Sequence, residues 1–223
     1  MTILKLSNIQ KSFKDGENRI NHVLQGIDLT VNQGEFVSIT GASGSGKTTL
    51  LSILGTLLPP DEGSYILNDQ EITTSSADIA SIRNKQIGFV FQNHRLMPQY
   101  TALENILMPV LASKNSTSAE DEAYAKQLME LTQISKIANQ YPGTLSGGEA
   151  SRVTVCRGLI MKPHLLLADE PTGQLDRENA KNIASLLSEV NKSLGTTILM
   201  VTHSDEIAQT ANKTLTLQDG KLQ

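Results

Sequence analysis

An α/β fold with a parallel sheet covered by helices is predicted by three observations. A strand-like run stands at Glu35 to Thr40, and short apolar runs of the kind that form fully buried strands stand at Leu165 to Ala168 and Thr197 to Val201, with helical periodicity from Asn179 to Leu194 between the last two. The first run leads into Gly41-Ala42-Ser43-Gly44-Ser45-Gly46-Lys47-Thr48, which fits G-x-x-x-x-G-K-[ST] and is followed by the helical pattern Leu50-Leu51-Ile53-Leu54. From Ala102 to Met161 the texture is helical, so a helical lobe at about 93–162 is expected within a single domain spanning residues 1–223.

Taken in order, Ile3 to Ile9 and Val23 to Val31 alternate apolar and polar residues and read as antiparallel strands, an N-terminal β subdomain. The helix from Lys47 stops before Pro59-Pro60, whose rings cannot continue it. Ser64 to Leu67, the Asn68-Asp69 turn and Ile87 to Phe91 add strand signals. In the helical stretch, Thr117 with Glu120 fits a capping box opening a helix through Leu131. A strand, helix, strand unit then closes a parallel sheet. The Asp219-Gly220 turn suggests that little structure is missing at the end.

Composition bounds the function. At 223 residues the chain can bury a substantial core, and a net charge of −4 argues against a protein that mainly neutralises nucleic-acid phosphates, so no nucleic-acid partner is expected. One cysteine allows no internal disulfide, and the first residues carry no basic-then-apolar signal region, which points to the cytoplasm. No apolar run approaches the ~18 residues that span a bilayer, so membrane association requires a partner. His22, His94 and His164 have no metal-ligand spacing, and Cys156 lies on the apolar face of its helix, which favours a structural role.

The chemistry of the glycine-rich loop is anion binding. Gly41, Gly44 and Gly46 let backbone amides turn inward as a nest, and the following helix adds its free N–H groups and positive dipole end. Lys47 would reach the β and γ phosphates of a nucleotide, and the Thr48 hydroxyl would ligate Mg²⁺; Ala42, Ser43, Ser45 and Thr49 complete the candidate contacts. Asp169 and Glu170 end an apolar strand, where ligands of open α/β sheets bind; Asp169 would hold the Mg²⁺ shell and Glu170 would polarise the attacking water. Ser146, Gly147 and Gly148 open a further helix and form a second anion-binding end.

The order of these segments carries a resemblance. The phosphate loop, Gln92 after Ile87 to Phe91, Leu145-Ser146-Gly147-Gly148-Glu149, Asp169-Glu170, Gly173-Gln174-Leu175-Asp176 and His203 together resemble the ATP-binding cassette (ABC) ATPases over nearly the whole chain. The resemblance implies the ABC ATPase fold, an α/β phosphate-loop NTPase core with a mixed sheet, an N-terminal antiparallel β subdomain and an inserted α-helical subdomain. It also implies ATP and Mg²⁺ as ligands and hydrolysis without a covalent intermediate. In this family two copies dimerise head to tail, so Ser146, Gly147 and Gly148 would close over the nucleotide of the partner copy. The resemblance further gives Phe13 adenine stacking, against core packing as the alternative, and Gln92 contact with Mg²⁺ and water. It gives His203 a γ-phosphate hydrogen bond, where the residue alone reads equally as a strand-end histidine, and Asp176 coupling between the two sites. Glu149-Ala150-Ser151-Arg152 and Gln174 depart from the glutamines and asparagine many relatives carry, which suggests altered coupling in an active enzyme.

Within the family, Ile87-Gly88-Phe89-Val90-Phe91-Gln92, Leu96-Met97-Pro98 and Leu103-Glu104-Asn105-Ile106 look like the bacterial lipoprotein-release, macrolide-export and haem-efflux group. That implies an integral membrane permease subunit as partner and a peripheral place on the cytoplasmic side of the inner membrane. Leu96, Met97 and Tyr100 either contact that subunit or pack inside the lobe. A cell-division cassette regulating wall hydrolases, or a soluble cassette outside transport, remain the rival readings.

Overall fold

The computed structural model describes residues 1–15, 19–73 and 79–223. Two long strands, β1 (Thr2–Asp15) and β2 (Arg19–Asn32), extend the alternating runs into an antiparallel pair, and β3 (Phe36–Thr40) enters the loop before α1 (Lys47–Leu54). Then come β4 (Glu62–Leu67), β5 (Gln70–Glu71), α2 (Ile79–Gln86) and β6 (Ile87–Phe91). The helices α3 (Ala102–Lys114), α4 (Ala119–Leu131) and α5 (Gly147–Leu159) follow, and β7 (Leu165–Asp169), α6 (Arg177–Leu194), β8 (Thr197–Val201), α7 (Asp205–Ala208), β9 (Lys213–Gln218) and β10 (Lys221–Leu222) complete the chain.

Among the described residues the strands form two sheets. One is antiparallel, in the order β2-β1-β4-β5; the other is mixed, in the order β10-β9-β3-β8-β7-β6, parallel except for the β9–β10 pair. Alternation along the parallel strands divides the core. Ile198, Met200, Leu166 and Ala168 face α3, α5 and α6 on one side, while Leu199, Val201, Leu165 and Leu167 face α1 and the antiparallel sheet on the other. The expected helical segments therefore share a continuous core with the sheet rather than forming a core of their own.

Local chemistry explains the boundaries. The α4 cap is Ser118, whose hydroxyl accepts from the Asp121 N–H while Asp121 reaches back; the expected Thr117–Glu120 box is thus displaced by one residue. Glycine stops helices twice, Gly55 after α1 and Gly195 in the left-handed conformation after α6, so α1 ends well before Pro59. The Asp219-Gly220 turn joins β9 to β10, two strands not among the elements expected from the sequence.

β6 and α5 meet backbone to backbone. A Cβ placed on Gly88 would collide with the Gly158 carbonyl and with Leu166. Gly88→Ala should therefore lower unfolding stability by about 1–3 kcal/mol, as overpacking does. An unchanged urea midpoint would show that the contact yields freely.

Candidate nucleotide site

Because β3, β8, β7 and β6 are parallel, their carboxyl ends line up. Ile39 pairs with Val201, Val201 with Asp169, and Asp169 with Phe91. Immediately beyond that line lie the phosphate loop, Glu170 and Gln92, with His203 two residues past Val201. Segments far apart in sequence thus converge on one sheet edge, the ligand edge of such folds.

The loop is shaped for an anion. Gly46 caps α1 at φ 102°, and a Cβ there would stand 2.9 Å from Val23 Cγ1, so any side chain at this position is strained. Lys47 is buried, and its Nζ donates to the carbonyls of Gly41 (2.8 Å) and Ala42 (2.9 Å), holding the loop closed on itself. The Ser45 hydroxyl oxygen is buried and has no hydrogen-bond partner among the described residues. Such an orphan typically costs about 1–3 kcal/mol, and an incoming phosphate oxygen would satisfy it. Gly41 to Ser45 also line a cleft of about 590 Å³ shared with Asn21, Val23 and the β9–β10 turn, within the range of small-molecule sites. Phe13 faces Asn21 across the β1–β2 ladder and is 41% exposed, so core packing is not its role.

Acidic groups occupy the other side. Burial, then the neighbouring Glu170, pushes the Asp169 carboxyl above the usual range, while Arg95, Lys47 and a hydrogen bond with Thr48 pull it back. A hydroxyl and carboxylates are hard oxygen donors suited to Mg²⁺. Among the described residues no three His, Cys, Asp or Glu side chains are grouped so as to hold a metal ion by themselves. Glu170 adopts a left-handed backbone, φ 45°, inside a turn in which Gly173 N–H donates to its carbonyl at 3.0 Å. That turn aims its carboxylate at His203, with Oε2 at 2.7 Å from Nδ1 and 3.3 Å from the backbone N.

Gln92 starts a segment braced residue by residue. Gly173 lies against its carboxamide; Gln174 Nε2 donates to Asn93 Oδ1 at 2.6 Å; His94 Nε2 is 2.9 Å from Ser151 Oγ on α5. The Arg157 guanidinium donates to the carbonyls of His94 (2.6 Å) and Arg95 (2.8 Å), and the Arg95 guanidinium stacks 4.4 Å over the Phe91 ring. Two of the departing residues, Ser151 and Gln174, are thus those that tie this segment in place. Arg95 and Arg157 were not among the expected site residues, since an isolated arginine carries no signature; the paired left-handed residues His94 and Arg95 that expose them are visible only in the backbone.

Ser146 and Gly147 lie on the surface at the start of α5, and neither they nor Gly148 line the cleft at the phosphate loop. Ser146 closes a capping box with Glu149. Asp176 caps α6, and its carboxylate accepts from the Asn179 backbone (3.0 Å) and side chain (2.6 Å). Leu96 packs against the core, whereas Met97 and Tyr100 are exposed. Cys156 is buried against Thr132, and burial pushes its thiol up to about 12, as a structural cysteine requires.

A family model described as ABC transporter matches residues 24–173. The chain belongs to the ABC transporter family. It is an ATP-binding, ATP-hydrolysing cassette of that family, with the α/β architecture expected. The lipoprotein-releasing system ATP-binding protein LolD of Myxococcus xanthus (strain DK1622) is 43% identical over 223 residues, covering 100% of this chain and 99% of that one. Among solved structures, the dimeric bacterial ABC transporter cassette MJ0796 has a TM-score of 0.88 at 37% identity, covering 99% of this chain and 97% of its own. A dimeric post-hydrolysis state of MJ0796 bound to ADP and Pi superposes with the same TM-score, 0.88, at 36% identity over 99% and 97% of the two chains.

Proposed function

We propose that this ABC ATPase acts as a head-to-tail homodimer on the cytoplasmic face of the bacterial inner membrane, driving an integral membrane subunit in lipoprotein release. The observation that carries the dimer is the division of the site: Lys47, Asp169, Glu170 and His203 belong to one sheet edge, while the helix start at Ser146 to Gly148 does not line that chain's cleft. A second copy supplies the missing half, as the dimeric cassettes that resemble this chain suggest.

The triphosphate would draw Lys47 Nζ from the Gly41 and Ala42 carbonyls onto the β and γ phosphates, with Gly41 to Thr49 amides and hydroxyls around it. Phe13 would stack on the adenine. Thr48, Asp169 and Gln92 would hold Mg²⁺, which supplies charge neutralisation to the phosphates when bound. Glu170, oriented by its turn and by His203, would align and polarise the attacking water, and His203 would then meet the γ-phosphate. Ser146, Gly147 and Gly148 of the second copy would cover the γ-phosphate, and Asp176 would link the two sites. Closure by ATP and release by hydrolysis form the working cycle.

No helix among the described residues is long and apolar enough to cross a membrane. One feature supports a membrane partner. Beside the residues 92–95 segment runs a groove of about 270 Å³ where Phe91, Pro109 and Met161 meet Arg83, Arg95 and Arg157, with exposed Met97 and Tyr100 nearby. The lipoprotein cargo rests on the likeness to LolD. Affinity purification from detergent-solubilised membranes is the test. Recovery of an integral subunit with a large extracytoplasmic domain, and loss of lipoprotein release on depletion, is the expected result; recovery with soluble proteins only would overturn the membrane role.

A further inference from the structure

We propose that Asp61 is a positioning residue for nucleotide binding: it sets the ring of Phe13, and through it the selectivity for a purine-bearing triphosphate over a bare polyphosphate. The inference rests on the reading that Phe13 stacks on the base. It starts from an interruption in the antiparallel sheet. β4 pairs with β1 as far as Gln10 opposite Glu62, and the Asp61 N–H still donates to the Gln10 carbonyl at 2.9 Å. The ladder calls next for an acceptor at the Ser12 N–H. The chain before Asp61 is Pro59-Pro60, which has no N–H groups and cannot continue a paired strand.

The Asp61 side chain takes over. Its Oδ2 accepts from Ser12 N–H at 2.7 Å and its Oδ1 from Lys11 Nζ at 2.6 Å, the Lys11 side chain being almost buried. Those two hydrogen bonds, with the Lys11 ammonium beside it, hold the carboxyl below its usual range. They fall where the β1–β2 register shifts, between Lys11 and Ser12, the kind of irregularity that re-aims the residues after it. Ser12 is fixed from the other strand as well, its hydroxyl 2.9 Å from His22 Nδ1.

Phe13 is the next residue. Lys11 and Phe13 lie on one face of β1, and the Lys11 ammonium sits 5.7 Å from the centre of the Phe13 ring. Asp61 therefore acts twice: it anchors the backbone just before the ring, and it holds the ammonium that covers part of one face. The ring is left 41% exposed and is paired in register with Asn21, which lines the cleft at the phosphate loop. An aromatic ring immobilised before the ligand arrives loses less freedom on stacking than a mobile one.

The experiment compares equilibrium binding of magnesium ATP and of magnesium tripolyphosphate, which lacks the base, to the full-length chain and to Asp61→Ala, Asp61→Asn and Phe13→Ala. Expected is a loss of about 5- to 10-fold in ATP affinity for Asp61→Ala and Phe13→Ala, the size of one aromatic stacking contact, with tripolyphosphate affinity unchanged. Asp61→Asn keeps an acceptor for Ser12 N–H and loses the charge opposite Lys11, so it should fall between wild type and Asp61→Ala. Should Asp61→Ala fail to fold, Asp61→Asn decides, and a wild-type preference for ATP over tripolyphosphate in it overturns the proposal. Equal losses for both ligands would mark a general defect of the sheet and also overturn it. If Phe13→Ala leaves ATP affinity unchanged, the stacking reading itself fails; if Phe13→Ala weakens ATP and the Asp61 variants do not, only the role of Asp61 fails.

Discussion

Glu170→Gln should leave ATP binding intact and lower steady-state turnover by on the order of 10²- to 10⁴-fold, the contribution of a well-placed general base. The substitution preserves size, and the amide oxygen can still meet the His203 N–H groups that the carboxylate now meets at 2.7 and 3.3 Å. What it removes is the charge that polarises water. Binding persists because the phosphate loop and Lys47 are untouched. With hydrolysis blocked, the ATP-closed dimer should accumulate, visible as a doubling of mass in size-exclusion chromatography with ATP. Phosphate release at the wild-type rate would remove Glu170 from the reaction.

Lys47→Ala acts at the other step. The ammonium is the one charged group seated within the loop, and a charge-assisted hydrogen bond to phosphate is worth about 1.5–3 kcal/mol, or roughly 10- to 100-fold in affinity. The loss should be somewhat larger in practice, because Lys47 also closes the loop through the Gly41 and Ala42 carbonyls and its removal frees both. Calorimetric titration with ATP should therefore show weak or no binding, and hydrolysis should fall with it. Unchanged affinity would contradict the assignment of residues 41–48 to phosphate binding.

Much of the architecture was legible because its signals are local. β6 and β8 match the apolar runs Ile87 to Phe91 and Thr197 to Val201, and α6 matches its periodic stretch to within two residues at its start. The displaced cap at Ser118 shows where local reading fails: Thr117–Glu120 and Ser118–Asp121 both fit the pattern, and the fold engages the second, where Lys114 also pairs with Asp121 at 3.0 Å. β10 is two residues long and is defined by its partner β9. Leu96 and Met97 are adjacent and similar in character, and only the packing of α3 and α5 sends one into the core and leaves the other in solvent.

The order of motifs along the chain pointed to the ABC family and to candidate residues for its chemistry, because a glycine-rich anion nest, a lysine and a strand-end carboxylate pair each depend on a few neighbouring residues. Tertiary structure alone decided which distant residues meet: Glu170 against His203, Asn93 against Gln174, His94 against Ser151, and Asp61 against Lys11 and Ser12. Those contacts span tens of residues, and they follow from parallel strand register and core packing, which no short window of sequence contains.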